Sequence, residues 1–144
     1  MLQKFLIIGG AGASIFVAVC ALAADKQRDY DTSQLPPAAS KPGVTYAIDV
    51  QPIFEKSCYP CHGPKTPKPK DGLRLDSLAA VLKGGKEGAV VVPGDIAKSS
   101  MMSSVAHLGD PDDYMPPPKN KGHIEPLTKA QIGLIRAWIE QGAK

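Results

Sequence analysis

The chain has 144 residues, which suffices for one domain and is too short for two of ordinary size. Aromatic residues make up only 6% of the sequence, so we do not expect a dense side-chain core. A small domain of this kind gains stability from a cofactor, a metal or a disulfide at its centre. The formal net charge of +3 is too small to indicate nucleic-acid binding.

Residues 1–23 have the pattern of an export signal. Lys4 precedes an apolar stretch that ends in Ala21-Leu22-Ala23, the small-residue pattern after which signal peptidase cuts. A retained membrane anchor is the alternative, although three glycines weaken the stretch as a spanning helix. Lipidation is a third interpretation, since the sequence ending at Cys20 loosely resembles a lipobox. Each version places the rest of the chain outside the cytoplasm, and we expect a periplasmic protein.

Residues 24–43 are polar, contain prolines and show no periodicity, so they are predicted to form a flexible linker. A linker of about twenty residues would span roughly 25 Å on average. If the N-terminus is an anchor, this reach would let the domain move between membrane-bound partners. The folded domain is predicted to occupy residues 44–144.

Short helices separated by loops are predicted within this domain. The first covers Asp49–Ser57, with Asp49 as its cap, and leads directly into a cysteine. After a proline- and lysine-rich loop, a second helix is predicted over Ser77–Lys83, ended by two glycines. Ala89–Val92 is a short β-prone run, and Lys98–His107 is a further helical segment that contains four serines.

The last helix has the clearest sequence signals. Thr128 and Gln131 have the spacing of a capping box, and Gly142 is placed to end the helix. The apolar residues between them recur at helical spacing and predict one buried face. These residues are Ile132, Ile135, Trp138 and Ile139.

The sequence Cys58-Tyr59-Pro60-Cys61-His62 carries the main functional prediction. Two cysteines three positions apart lie on one side of a helical turn, where both thiols can add to the two vinyl groups of a haem. The following His62 can then bind the iron. The alternatives are a disulfide, a thioredoxin-like redox pair and part of a zinc site. No βαβ pattern supports the second, and an oxidising compartment disfavours the thiolates that zinc requires, so one covalent haem c is predicted.

A sixth iron ligand distinguishes an electron carrier from a site that binds a gas or a substrate. Met115 is the favoured candidate, because the prolines after it stiffen the backbone and remove hydrogen-bond donors. Met101 and Met102 lie in a predicted helix, where Met commonly fills the core. His107 and His123 are the remaining candidates, and isolated histidines are more often surface or capping residues. A thioether ligand raises the reduction potential and closes the iron to small molecules, and both effects favour electron transfer.

From about Val50 to its end, the sequence resembles a planctomycete-type cytochrome c domain, a branch related to class I c-type cytochromes. The resemblance implies an all-α, small c-type cytochrome fold, with several short helices and long loops around one covalent haem. It also implies that His62 is the proximal ligand and Met115 the distal one. The matching pieces, in order, are Val50–Phe54, Cys58–Gly63, Gly72–Asp76, Lys83–Gly85, Val92–Asp95, Tyr114–Pro117, Leu127-Thr128 and Ala137–Ala143.

We therefore expect electron transfer by a single haem c with His/Met axial ligation, in an exported carrier or a subunit of a complex, and not an enzyme. A haem enzyme or gas sensor with a labile sixth ligand is the alternative. His107 could serve as a polar group there, but no catalytic constellation surrounds it in the sequence. The electron donor and acceptor, the reduction potential, the pathway and the oligomeric state do not follow from the sequence.

Redox proteins, including membrane-bound ones, are the expected partners, and no nucleic acid is expected. Membrane contact is expected only if the N-terminus is retained or lipidated. A basic patch near the haem edge is predicted to steer an acidic partner, with an ordinary solvated loop as the alternative. The patch consists of Lys56, Lys65, Lys68 and Lys70.

Overall fold

A computed structural model describes residues 30–144. The predicted export signal and residues 24–29 of the predicted linker lie outside the described residues. In the described part the fold is helical without strands, as the all-α prediction requires. No helix of residues 30–144 is both long and apolar enough to cross a membrane. The α-helices are α1 (Gln51–Ser57), α2 (Tyr59–His62), α3 (Leu78–Lys83), α4 (Ser100–Ala106) and α5 (Lys129–Glu140).

The predicted first helix is divided into two elements. A π-helical turn covers Tyr46–Val50, and α1 follows it over Gln51–Ser57. Asp49 does not cap α1, because its carboxylate accepts a hydrogen bond from the backbone nitrogen of Thr45, at 3.0 Å, and pairs with Lys41. The π-helical turn therefore connects the preceding segment, which contains Lys41 and Thr45, to α1.

In the middle of the chain both predicted helices form, but the predicted β-strand does not. The Ser77 hydroxyl accepts a hydrogen bond from the backbone of α3, which ends at Gly84 with a φ of +77°. The β-prone run Ala89–Val92 forms only an isolated bridge between Val92 and Asp95 among the described residues. This run does not form a strand despite its β propensity, because no neighbouring segment within residues 30–144 pairs with it. Helix α4 ends one residue before His107, which adopts a left-handed conformation.

Helix α5 forms as predicted and organises the core. Thr128 and Gln131 make both hydrogen bonds of the capping box. Trp138 is fully buried, and its ring centroid lies 6.0 Å from that of Tyr46, which in turn lies 6.2 Å from Phe54. This aromatic group joins α5 to the π-helical turn and α1. The four residues of the predicted apolar face, Ile132, Ile135, Trp138 and Ile139, are all buried.

The segment before the predicted domain packs against α5. Arg136 donates a hydrogen bond to the carbonyl oxygen of Pro36 at 3.1 Å, and the backbone nitrogen of Ala39 donates to that of Gly133 at 2.9 Å. Leu35 is buried with 6% of its surface exposed.

The prediction of a flexible linker over residues 24–43 is therefore wrong for residues 30–43, which belong to the packed unit. These contacts are made mainly by backbone groups, whose partners cannot be recognised from composition.

Candidate functional site

The segment Cys58–His62 lies where two short helices meet. The backbone nitrogen of Cys58 donates to the carbonyl oxygen of Phe54 within α1, at 2.8 Å. The carbonyl oxygen of Cys58 accepts from the backbone nitrogens of Cys61 and His62, at 3.1 and 2.9 Å. Helix α2 is thus a single turn that begins directly after Cys58. This turn brings the two thiols and the imidazole to the wall of one cavity.

That cavity has a volume of about 590 Å³, which is in the range of cofactor sites. All four sequence-predicted site residues line it: Cys58, Cys61, His62 and Met115. Apolar side chains from α1, from the segment after the proline-rich loop and from α4 form much of the remaining wall. Among them are Phe54, Leu73, Leu75, Met101 and Val105.

His62 is held at both its ring and its backbone. Its Nδ1 lies 3.0 Å from the carbonyl oxygen of Leu73, and its own carbonyl oxygen accepts from the backbone nitrogen of Leu75 at 2.9 Å. A carbonyl oxygen only accepts hydrogen bonds, so Nδ1 must carry the proton and Nε2 of the neutral ring is left with a lone pair for a metal. The side chain is buried, with 8% of the residue exposed.

The ring's partner, Leu73, is the first residue after the proline-rich loop of residues 64–72. A backbone carbonyl leaves no signal in a sequence, because every residue has one. Sequence reasoning also missed the role of Leu75 for the same reason.

The two thiols have different surroundings. Both are free cysteines in the structure, and Cys61 is exposed whereas Cys58 is partly covered. Burial, and next to it the neighbouring Cys61, raises the pKa of the Cys58 thiol to about 12. Cys58 is therefore a neutral thiol at pH 7.

The zinc alternative requires a set of four ligands. Within residues 30–144 there is no group of three or more His, Cys, Asp or Glu side chains that could hold a metal ion. His107 and His123, the other two histidines, do not line the cavity with Cys58, Cys61 and His62, but a neighbouring open pocket beside the loop of residues 117–126.

The loop that carries Met115 is fixed to α4. The backbone nitrogen of Met115 donates to the carbonyl oxygen of Ser104 at 3.0 Å. The preceding Tyr114 stacks on His107, with ring centroids 4.6 Å apart and planes at 8°. Met101 is buried, as its position in a helix predicts, but its side chain also lines the cavity. Met102 is buried in the core, as expected.

Lysines surround the mouth of the cavity, but they are mostly not those of the predicted patch. Of the four predicted lysines, only Lys70 lines the cavity, and Lys65 and Lys68 are exposed nearby in the loop. Segments distant in sequence supply the others, so only the fold reveals this group. Of the five exposed lysines within residues 30–144 that line the cavity, Lys98 pairs with Asp95. We call the other four, Lys70, Lys86, Lys119 and Lys121, the mouth lysines. The acidic residues Asp71, Glu87 and Asp113 line the same cavity.

Comparison with known proteins gives one family. Residues 58–119 match the family model described as Planctomycete cytochrome C, and the match begins at the first cysteine of the motif. No curated protein and no solved structure matches the chain. A cytochrome c family implies a covalently attached haem c and a role in electron transfer.

Proposed function

Since residues 58–119 form a planctomycete-type cytochrome c domain, we propose that the chain binds one haem c in its cavity and transfers single electrons. Cys58 and Cys61 would attach the haem through their thiols, and His62 and Met115 would supply the protein ligands to its iron. The haem supplies an iron that changes its charge by one electron. The observation that supports this most directly is that these four side chains, from two distant segments, line one cavity of about 590 Å³.

The chain's own residues would prepare this site for reversible transfer. The carbonyl of Leu73 fixes the orientation of the His62 ring and keeps the proton on Nδ1, so Nε2 is free to bind. Apolar residues in the wall, such as Phe54 and Val105, exclude water from the iron. A dry surrounding disfavours the more highly charged oxidised site, and it therefore raises the reduction potential.

Electron transfer is favoured over a gas sensor or haem enzyme by the anchoring of the distal loop. Met115 is tied to Ser104 through its backbone, so the loop that carries its side chain is held beside the cavity. His107, the candidate polar group for the alternative, lines the other pocket and stacks on Tyr114. A closed sixth position suits a carrier.

We also propose that the domain works outside the cytoplasm, exported through residues 1–23, and exchanges electrons with redox proteins. The mouth lysines favour partners with an acidic surface around their own redox centre. Opposite charges around two such centres would raise the encounter rate and orient the complex.

An absorption spectrum of the protein from a host that matures c-type cytochromes tests the proposal. We expect a six-coordinate, low-spin spectrum in both oxidation states, reversible one-electron reduction, and a reduced spectrum that does not change when carbon monoxide is added. Rapid conversion by carbon monoxide would favour the alternative of a labile sixth ligand. A colourless protein would contradict haem binding altogether.

A further inference from the structure

The extended segment after the proline-rich loop contacts His62 twice. The carbonyl oxygen of Leu73 accepts from the His62 ring at 3.0 Å, and the backbone nitrogen of Leu75 donates to the His62 carbonyl at 2.9 Å. The hydroxyl of Tyr46 donates to the Leu75 carbonyl at 2.8 Å and ties this segment to the core. The orientation of the imidazole therefore depends on the position of residues 73–75.

Arg74 lies between these two contacts and reaches the backbone that follows His62. One terminal guanidinium nitrogen donates to the carbonyl oxygen of Gly63 at 3.0 Å, and the other donates to that of Thr66 at 3.1 Å. Asp76 lies 3.4 Å from the first of these nitrogens. Because the guanidinium is planar and rigid, it holds the two carbonyls at a fixed separation.

We propose that Arg74 is a positioning residue for His62. By binding Gly63 and Thr66, it holds the turn after the histidine against the segment that accepts the histidine's hydrogen bond. The Leu73 carbonyl thereby stays on Nδ1 and keeps the imidazole basic. A more basic imidazole stabilises the oxidised iron, so loosening this contact raises the reduction potential. The inference rests on the proposed function, since it takes His62 as an iron ligand.

The test is Arg74→Lys in the haem-loaded protein. Lysine keeps the positive charge, but its single ammonium group cannot hold both carbonyls in the same geometry. Two quantities are measured: the redox equilibrium against a reference couple, and the rate of tryptic cleavage after Lys65, which lies in the clamped loop. We expect the equilibrium to shift about threefold or more toward the reduced form, and cleavage to become about threefold faster or more.

Arg136→Lys is the matched control. Arg136 also donates to a backbone carbonyl, that of Pro36, at 3.1 Å, but it does not line the cavity. Neither the redox equilibrium nor the cleavage after Lys65 should change in this variant.

An unchanged redox equilibrium in Arg74→Lys overturns the inference, and so does a changed equilibrium with unchanged cleavage, because the effect would not pass through the loop.

If Arg74→Lys acquires no haem, Asp76→Asn takes its place, since it removes the carboxylate that orients the guanidinium. Faster cleavage after Lys65 together with a shift toward the reduced form in that variant supports the inference, and a variant in which either quantity is unchanged overturns it. A wild-type protein without haem would contradict the proposed function, whereas haem-loaded wild-type and Arg74→Lys proteins that behave alike contradict only the role of Arg74.

Discussion

The backbone nitrogen of Met115 lies 3.0 Å from the carbonyl oxygen of Ser104. This hydrogen bond fastens a loop without regular structure to the C-terminal turn of α4. The same helix contributes Met101 to the cavity wall, so two thioether side chains line the site. Their roles can be separated by matched substitutions.

Met115→Ala should remove the weak red charge-transfer band of sulfur-ligated ferric haem completely. The reduced variant should bind carbon monoxide, because the sixth position is then open, and its reduction potential should fall. The change is followed by absorption spectroscopy of both oxidation states. In the matched control, Met101→Leu, the band should remain. A band that survives Met115→Ala and disappears in Met101→Leu would show that Met101, and not Met115, is the sulfur ligand.

Gly133→Ala should destabilise the protein, although alanine is the better helix former by about 1 kcal/mol. A Cβ at this position would lie 2.5 Å from the carbonyl oxygen of Pro37, and the contact between α5 and residues 30–43 leaves no room for it. Overpacking costs about 1–3 kcal/mol, and the loss of the Ala39 hydrogen bond adds about 1 kcal/mol. The midpoint of thermal unfolding should fall.

Ala130→Ser, at an exposed position of the same helix, is the control and should change stability by no more than about 0.5 kcal/mol. An increased midpoint for Gly133→Ala would mean that residues 30–43 do not pack against α5.

The ionised carboxylate of Asp49 should stabilise the folded protein, and this stabilisation should be lost in acid. Its hydrogen bond from Lys41, and next to it the one from the backbone of Thr45, hold the pKa of this carboxyl below its usual value. A carboxyl with a lowered pKa in the folded state stabilises the fold at pH above its unfolded pKa, near 4. This contribution is lost as the pH falls further, through the folded-state pKa.

Asp49→Asn should therefore be less stable than the wild type at pH 7, and the difference should shrink toward pH 2. Urea unfolding at the two pH values measures it. A difference that stays constant with pH would show that the carboxylate's charge has no part in holding residues 41–49.

The mouth lysines should control the rate of reaction with charged redox reagents. We expect the triple variant Lys86→Gln, Lys119→Gln and Lys121→Gln to be oxidised more slowly by an anionic reagent and faster by a cationic one, by about threefold to tenfold at low salt. The differences should decrease as ionic strength rises. Stopped-flow absorption measures both rates.

A control variant with the same change of net charge replaces Lys83, Lys129 and Lys144, which are exposed but do not line the cavity. If both triple variants slow the anionic reaction equally, the effect comes from net charge and not from a surface at the cavity mouth.

Much of this site was accessible from the sequence, because its chemistry resides in a local motif. The spacing from Cys58 to His62 suffices to predict a helical turn with three groups on one side, and the capping box predicts the start of α5. Met115 could be selected from its prolines. Each of these signals lies within a few neighbouring residues.

The parts that sequence reasoning missed depend on contacts between distant segments. The Leu73 carbonyl and the two carbonyls bound by Arg74 are backbone groups without a residue-type signal. Residues 30–43 have the composition of a linker, but they make specific hydrogen bonds with α5 and with Gln141 directly after it. The lysines at the cavity mouth come from loops that only the fold brings together.

The most direct test of the central claim is the intact mass of the denatured protein, produced in a host that matures c-type cytochromes. Covalent attachment through Cys58 and Cys61 predicts a mass increased by that of one haem, which persists under denaturation and reduction. The doubly substituted variant Cys58→Ser, Cys61→Ser should lack this increase. A wild-type protein with the mass of the polypeptide alone and the two thiols joined in a disulfide would contradict the account.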